Sequence, residues 1–140
     1  MRVVLDTNVL VSGILWRGAP HQILQAWADS QIELLCSISI MSEYRRVLED
    51  LGRDLPDSDP EAWMRFVFEH ALFINPSISL SVIKEDPPDN RFLECAVSGK
   101  ADAIVSGDRH LKSLRLFEGI PIVSPREFLR RLARLSGFGG

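Results

Sequence analysis

Four acidic residues in this 140-residue sequence could together bind a metal ion. Asp6 ends the apolar run RVVLD, and Asp108 ends a similar run, DAIVSGD. Glu43 and Asp89 each fall near the start of a helix-like segment, beside its apolar stripe. Because like charges in one crevice repel each other, a cluster of carboxylates is tolerable only if a cation binds. Mg²⁺ or Mn²⁺ is expected, since hard cations take oxygen ligands, and such ions promote phosphodiester hydrolysis.

Each of these acids also has a purely structural alternative. Asp6 could cap the helix that follows it, Asp86 or Asp89 could cap a later helix, and Glu43 could complement a helix dipole. Taken singly, each acid is more readily explained in this way. The joint occurrence of acids at two strand ends and two helix starts favours a site.

The third motif offers two acids near one helix start, Asp86 and Asp89. Asp89 precedes Phe92, Leu93 and Ala96 by three, four and seven residues. On a helix this spacing puts the carboxylate on the same, inward face as those apolar side chains. We therefore select Asp89.

Alternating strands and helices are predicted to carry these residues. Short, nearly unbroken apolar runs predict strands, namely RVVLD, IELLCS, LFINP, DAIVSGD and IPIVS. Apolar residues at helical spacing predict helices, over NVLVSGILW, APHQILQAWADS, SISIMSEYRRVLEDLG, residues 62–71, FLECAV, RHLKSL and residues 125–135. The segments RDLPDSDP and SISLSVIKEDPPD are expected to be irregular.

This order of elements predicts how distant acids could meet. Strands alternating with helices form a parallel sheet with right-handed crossovers, and ligands bind at the carboxyl ends of its strands, where the strand order reverses. If the first and fourth strands are neighbours at that reversal, Asp6 and Asp108 face one crevice.

Composition and charge restrict the classes of protein to consider. The formal net charge of −3 gives none of the basic excess expected of a protein that coats nucleic acid nonspecifically. Cys36 and Cys95 lie in apolar runs without metal-ligand spacing, which favours buried thiols in a reducing cytosol. No run approaches about 18 apolar residues, so we expect a cytoplasmic protein with no membrane partner. We predict a single domain over residues 1–136 and a flexible tail over residues 137–140.

Four segments in order resemble the motifs of the PIN domain, specifically of the small prokaryotic VapC-like toxins. They are VVLDTNVLVSG, SEYRRVL, DPPDNRFLECA and ADAIVSGDRHL, and the resemblance covers nearly the whole chain. It departs from the family at Asn90, where relatives often have another acid. The resemblance implies a three-layer α/β/α fold with a central, mostly parallel sheet. For many relatives it also implies a homodimer held silent by an antitoxin protein.

The resemblance further implies a ribonuclease site for RNA. Its catalytic residues, and its ligands for Mg²⁺ or Mn²⁺, would be Asp6, Glu43, Asp89 and Asp108. Asn8 and Ser106 would support these ligands by hydrogen bonding. Basic residues near the motifs, Arg46 and Arg109 among them, could contact RNA phosphates, although solvated helix faces explain them equally well.

Two other classes of function compete with this interpretation. A haloacid dehalogenase-like phosphohydrolase also begins with an apolar strand that ends in aspartate, but it expects a second aspartate where Asn8 lies. A noncatalytic binding protein could keep the fold without turnover, although retention of all four acids argues against it.

Overall fold

The computed structural model describes residues 1–52, 60–76 and 90–136. Strands and helices alternate along these ranges. The strands are β1 (Arg2–Leu5), β2 (Glu33–Cys36), β3 (Leu72–Phe73), β4 (Ala103–Val105), β5 (Leu116–Phe117) and β6 (Ile120–Val123). The helices are α1 (Thr7–Leu15), α2 (Ala19–Ala28), α3 (Ile38–Gly52), α4 (Pro60–His70), α5 (Asn90–Gly99), α6 (Arg109–Lys112) and α7 (Pro125–Ser136).

The strands form one sheet in the order β3-β2-β1-β4-β6-β5. All neighbouring pairs are parallel except β5 and β6, which are antiparallel. β1 is paired with β4 in a register that sets Leu5 opposite Val105. The condition under which Asp6 and Asp108 face one crevice, that the first and fourth strands are neighbours, is therefore met. The reversal of strand order falls between them, and their carboxyl ends share one edge of the sheet.

Helices cover both faces of this sheet. α1 packs against α2 and α3, α2 also contacts α7, and α5 lies against β1, β2 and β4. The strand order runs from β1 to β2 and β3, then returns to β4 on the other side of β1. Right-handed crossovers therefore put α5 on the face opposite α1. This arrangement is the predicted three-layer α/β/α fold.

The central strands are buried on both faces. Residues 3–5 of β1 and 103–105 of β4 are all buried, which explains their unbroken apolar sequences. Cys36 and Cys95 are free and buried, as predicted. Burial raises the pKa of each thiol to about 12.

Gly13 allows α1 and α2 to approach closely. A Cβ atom at this position would lie 2.8 Å from Leu24 Cδ1 and 2.9 Å from the carbonyl oxygen of Pro20. His21 Nδ1 lies 2.8 Å from the Gly13 carbonyl oxygen. This contact fixes the position of α1, whose N-terminus lies at the carboxyl edge of the sheet.

The structure confirms most predicted elements and adds one strand. β3 covers only the first two residues of the predicted strand LFINP. β5 was not predicted; it forms a tight hairpin with β6 through Glu118 and Gly119, which both have positive φ angles, 48° and 80°. Two consecutive positive φ angles are what a two-residue hairpin turn of type I′ requires.

Several predictions fall outside the described residues. They concern the irregular segments at 53–59 and 77–89, the tail at 137–140, and the acids Asp86 and Asp89. None of the helices in the described ranges is long and apolar enough to cross a membrane.

Candidate active site

Asp6 and Ser106 occupy equivalent places at the ends of two neighbouring strands. Asp6 follows β1, and its backbone N–H donates to the Val105 carbonyl oxygen at 3.0 Å. Ser106 follows β4, and its backbone N–H donates to the Val123 carbonyl oxygen at 2.9 Å. Both residues thus continue the sheet by one position before the chain turns into a loop or a helix.

The Asp6 carboxylate accepts three hydrogen bonds inside the protein. Oδ1 accepts from the Val9 backbone N–H at 2.8 Å, so Asp6 does cap α1. Oδ2 accepts from the Ser106 hydroxyl and from the Gly107 backbone N–H at 3.2 Å. Oδ1 thus makes the helix-capping bond, whereas Oδ2 contacts the residues that follow β4.

Burial determines the ionisation of Asp6. Only 3% of the residue is exposed, and removal from water raises the pKa of its carboxyl group. The three hydrogen bonds favour the charged form, and the nearby charge of Asp108 opposes it. A cation beside these two carboxylates would relieve both the burial penalty and the repulsion.

Ser106 joins the two aspartates. Its hydroxyl donates to Asp6 Oδ2 and accepts from the Asp108 backbone N–H at 2.9 Å. Asp108 is half-buried and directly precedes α6, where its Oδ1 accepts from the Leu111 backbone N–H at 3.3 Å. One hydroxyl therefore fixes the Asp6 carboxylate and the turn that carries Asp108.

Glu43 is brought to the same edge of the sheet by its neighbour Tyr44. The Tyr44 hydroxyl is fully buried and donates to the Leu5 carbonyl oxygen at 2.6 Å, which ties α3 to the end of β1. The sequence predicted only an apolar role for Tyr44. A tyrosine on an apolar stripe directly after a candidate acid was the available signal, because a buried phenol must find a hydrogen-bond acceptor.

The Glu43 carboxylate is paired with two arginines. Oε1 lies 2.5 Å from Arg46 Nη2, and Oε2 lies 3.1 Å from Arg91 Nη1. Arg91 Nη1 also donates to the Ser39 carbonyl oxygen at 3.1 Å, so this residue of α5 holds the start of α3. The charge of Glu43 is thus compensated by guanidinium groups in this structure.

The remaining predicted site residues that the structure describes are mostly exposed. Asn8 and Arg109 are exposed, and Arg46 also lies 3.9 Å from Asp50. Asn90, the first residue of α5, is buried. Asp89 is outside the described residues, so its relation to the other acids stays a prediction.

The donors that meet are compatible with a hard cation. Mg²⁺ is usually held by one or two carboxylates together with water, and Asp6 and Asp108 supply such a pair. Beside Asp6, the Thr7 Oγ1 atom is buried without a hydrogen-bond partner among the described residues. Within residues 1–52, 60–76 and 90–136, no three acidic, histidine or cysteine side chains are grouped to hold a metal. The described residues alone therefore fit a two-carboxylate site.

Comparison with known proteins identifies a family and a fold. The family model described as PIN domain matches residues 2–110. The solved structure of VapBC2 from Rickettsia felis, bound to a DNA fragment from their promoter, is 13% identical with a TM-score of 0.59, over 87% of this chain and 97% of that chain. PAE2754 from Pyrobaculum aerophilum is 18% identical with a TM-score of 0.60, over 96% and 90%. At these identities the structural likeness shows the fold alone. No curated protein matches the sequence.

Proposed function

The chain belongs to the PIN domain family, as its four motifs predict, and on this premise we propose that it is a Mg²⁺- or Mn²⁺-dependent endoribonuclease that hydrolyses RNA phosphodiester bonds. PIN domains are generally nucleases that use divalent metal ions. The observation that carries the proposal is the joining of Asp6 and Asp108 by the Ser106 hydroxyl at the switch point of the sheet.

Each side chain has a separate task in this proposal. Asp6 and Asp108 hold the ion, with Glu43 and Asp89 completing the acidic set. When bound, the ion supplies charge stabilisation to the phosphate and lowers the pKa of water. Ser106 keeps the Asp6 carboxylate in one orientation, because it donates to Oδ2.

Basic residues position the RNA in this proposal. Arg46 and Arg109 are exposed beside the acidic residues and are assigned contacts with the RNA phosphates. Such contacts orient a strand without reading its sequence.

Cleavage of a mixed pool of tRNA and single-stranded RNA tests the activity. The purified protein is assayed with Mn²⁺ or EDTA, beside Asp6→Asn and the control Asp29→Asn. Asp29 is exposed at the C-terminus of α2, away from the carboxyl ends of the strands. Cleavage should require metal, persist in Asp29→Asn and be lost in Asp6→Asn. Unchanged cleavage by a folded Asp6→Asn protein would refute the proposal.

A noncatalytic PIN-fold protein is the second candidate. The pairing of Glu43 with Arg46 and Arg91 favours it, because those arginines already compensate the charge of this carboxylate. Calorimetry with Mn²⁺ separates the two candidates. The nuclease should bind Mn²⁺ in a manner that Asp6→Asn removes, whereas a protein without a functional site should show no such binding. The family assignment argues against the haloacid dehalogenase alternative.

We further propose that the protein is the toxin of a type II toxin–antitoxin pair in the cytoplasm, with a protein antitoxin and a homodimeric state. The VapC-like motifs and the structural likeness to VapBC2 support this assignment. Induction in a bacterial host should arrest growth, and Asp6→Asn should not. Sedimentation that shows only monomer at micromolar concentration would contradict the homodimer.

A further inference from the structure

An open groove of about 650 Å³ lies beside the candidate active site. Its wall is formed by the start of α3, by the last residue of β3 and residues 74–76 that follow it, by Phe68 of α4 and by Arg91 of α5. Arg91 connects the groove with the acidic residues, because its Nη1 atom lies 3.1 Å from Glu43 Oε2. The volume falls within the range of about 300–1,000 Å³ that is usual for ligand sites.

An exposed aromatic ring borders this groove. Phe68 is 65% exposed, although its neighbours on α4, Met64 and Val67, are buried. Its inner edge meets Phe73, with ring centroids 6.0 Å apart and planes inclined by 60°. The Phe73 ring thus supports Phe68 from one side and leaves most of the Phe68 surface open to a ligand. Ile38, which is 70% exposed, lines the same groove, so the two side chains form one exposed apolar patch beside the cleft. Apolar patches with a polar rim mark binding surfaces.

Two arginines share a second hollow with the same ring. This hollow of about 300 Å³ is lined by Phe68, Arg45 and Arg46. Arg45 Nη1 lies 3.5 Å from Glu61 Oε1, and these side chains are 45% and 69% exposed. Exposed ion pairs contribute little stability, so Arg45 can exchange Glu61 for a phosphate at small cost.

We propose that this groove binds one base of a single-stranded RNA, stacked on Phe68, while neighbouring phosphates contact Arg45 and Arg46. The inference rests on the proposed function, since it treats that RNA as the substrate strand. Unpaired bases are recognised by stacking on aromatic rings and guanidinium planes, and the groove presents both in Phe68 and Arg91.

The polar lining of the groove fits a base better than a free anion. Asn75 contributes an amide with both donor and acceptor atoms, and Glu94 contributes a carboxylate, which repels phosphate. A base has donors and acceptors on its edges and carries no charge. The phosphates are therefore assigned to the hollow lined by Arg45 and Arg46, and the base to the groove.

Binding of short oligonucleotides tests this assignment. Fluorescence anisotropy in EDTA compares labelled hexauridylate with an abasic ribose-phosphate hexamer, for the full chain, Phe68→Ala and Phe68→Trp. Phe68→Ala should weaken binding of hexauridylate by about 5- to 160-fold, the effect of one lost base–aromatic stack. It should leave the abasic strand unaffected, and Phe68→Trp should restore binding. Leu135→Ala is the matched control, because Leu135 is 66% exposed on α7.

Three results would overturn the inference. Equal loss on both strands would mean that Phe68 affects binding without stacking on a base. Unchanged hexauridylate affinity in Phe68→Ala would mean that the groove is not a base site. Loss of self-association in sedimentation, with unchanged affinity for the oligonucleotide, would assign the ring to contact with a second copy of the chain.

Failure of this inference is distinguishable from failure of the proposed function. If cleavage of RNA by the wild type requires metal and Asp6, but Phe68→Ala binds hexauridylate with unchanged affinity, only the assignment of the base site is wrong. If no RNA is cleaved while hexauridylate binding depends on Phe68, the base site stands and the nuclease assignment falls.

Discussion

Tyr44→Phe removes a single oxygen atom from the core and tests how α3 is held at the candidate site. The Tyr44 hydroxyl donates to the Leu5 carbonyl oxygen at 2.6 Å, and the side chain is 0% exposed. The substitution keeps the ring, so it creates no cavity large enough to lower the free energy of unfolding measurably. The change in the free energy of unfolding therefore reports the hydrogen bond itself.

The expected loss follows from the burial of both partners. A hydrogen bond contributes about 0.5–1.5 kcal/mol net, and a buried acceptor that loses its donor costs about 1–3 kcal/mol. We expect Tyr44→Phe to be less stable by about 1–2 kcal/mol. With a urea m value of about 1.5 kcal/mol/M, the midpoint of unfolding should fall by about 1 M.

Urea unfolding followed by tryptophan fluorescence measures this change. Near-UV circular dichroism of the folded variant establishes that the core is retained. Met64→Leu is the control for a mild core change, since Met64 is buried and the swap keeps its volume; a cost below about 1.5 kcal/mol is expected there. A loss below about 0.5 kcal/mol in Tyr44→Phe would refute the anchoring role of the hydroxyl.

Three further predictions concern packing, thiol reactivity and pH. Gly13→Ala should lower the free energy of unfolding by about 1 kcal/mol. Crowding against the Pro20 carbonyl oxygen costs about 1–3 kcal/mol, and the higher helix propensity of alanine offsets about 1 kcal/mol of this cost. An unchanged or raised midpoint of urea unfolding would contradict this prediction. Cys36 and Cys95 should resist iodoacetamide in the folded protein and react after unfolding, because burial raises the pKa of each thiol to about 12; stoichiometric alkylation of native protein, seen by mass spectrometry, contradicts this. In EDTA, burial raises the pKa of the Asp6 carboxyl group above its ordinary value of 3.8. The contribution of this group to folding stability is therefore complete below pH 3.8 and is lost as the pH rises through its pKa in the folded protein. The free energy of unfolding of Asp6→Asn, relative to that of the wild type, should therefore rise as the pH increases from 3.8 through this pKa. Urea unfolding at a series of pH values measures the difference, and a decrease over that range would contradict this reasoning.

The centre of the fold could be predicted because its sequence signals are local. Residues 3–5 and 103–105 form unbroken apolar runs, as strands buried on both faces must. Right-handed crossovers predict that both are parallel strands of one sheet, whose carboxyl ends share an edge, whereas their adjacency is seen only in the structure. Asp6 and Asp108 could thus be assigned to one edge of the sheet without any knowledge of side-chain positions.

The partners of the acids could not be predicted in the same way. Periodicity predicts the face of the helix on which Glu43 lies. It does not predict that Arg91, which belongs to a helix on the other side of the sheet, pairs with the Glu43 carboxylate. Likewise, β5 has only two residues, too few for an alternating pattern, and its hairpin depends on a positive φ angle at Glu118, which no glycine signals. These features are decided by tertiary contacts.

The position of the candidate site between β1 and β4 has a consequence for protein synthesis. Asp6 and Ser106 are 100 positions apart, so at about 5–20 residues per second the ribosome needs about 5–20 s to progress from one to the other. Throughout that interval β1 can pair with β2 but remains an unpaired edge on its other side. A nascent or prematurely terminated polypeptide therefore carries the Asp6 carboxylate without the hydroxyl that orients it. The complete site exists only in molecules that have been made at least as far as Asp108.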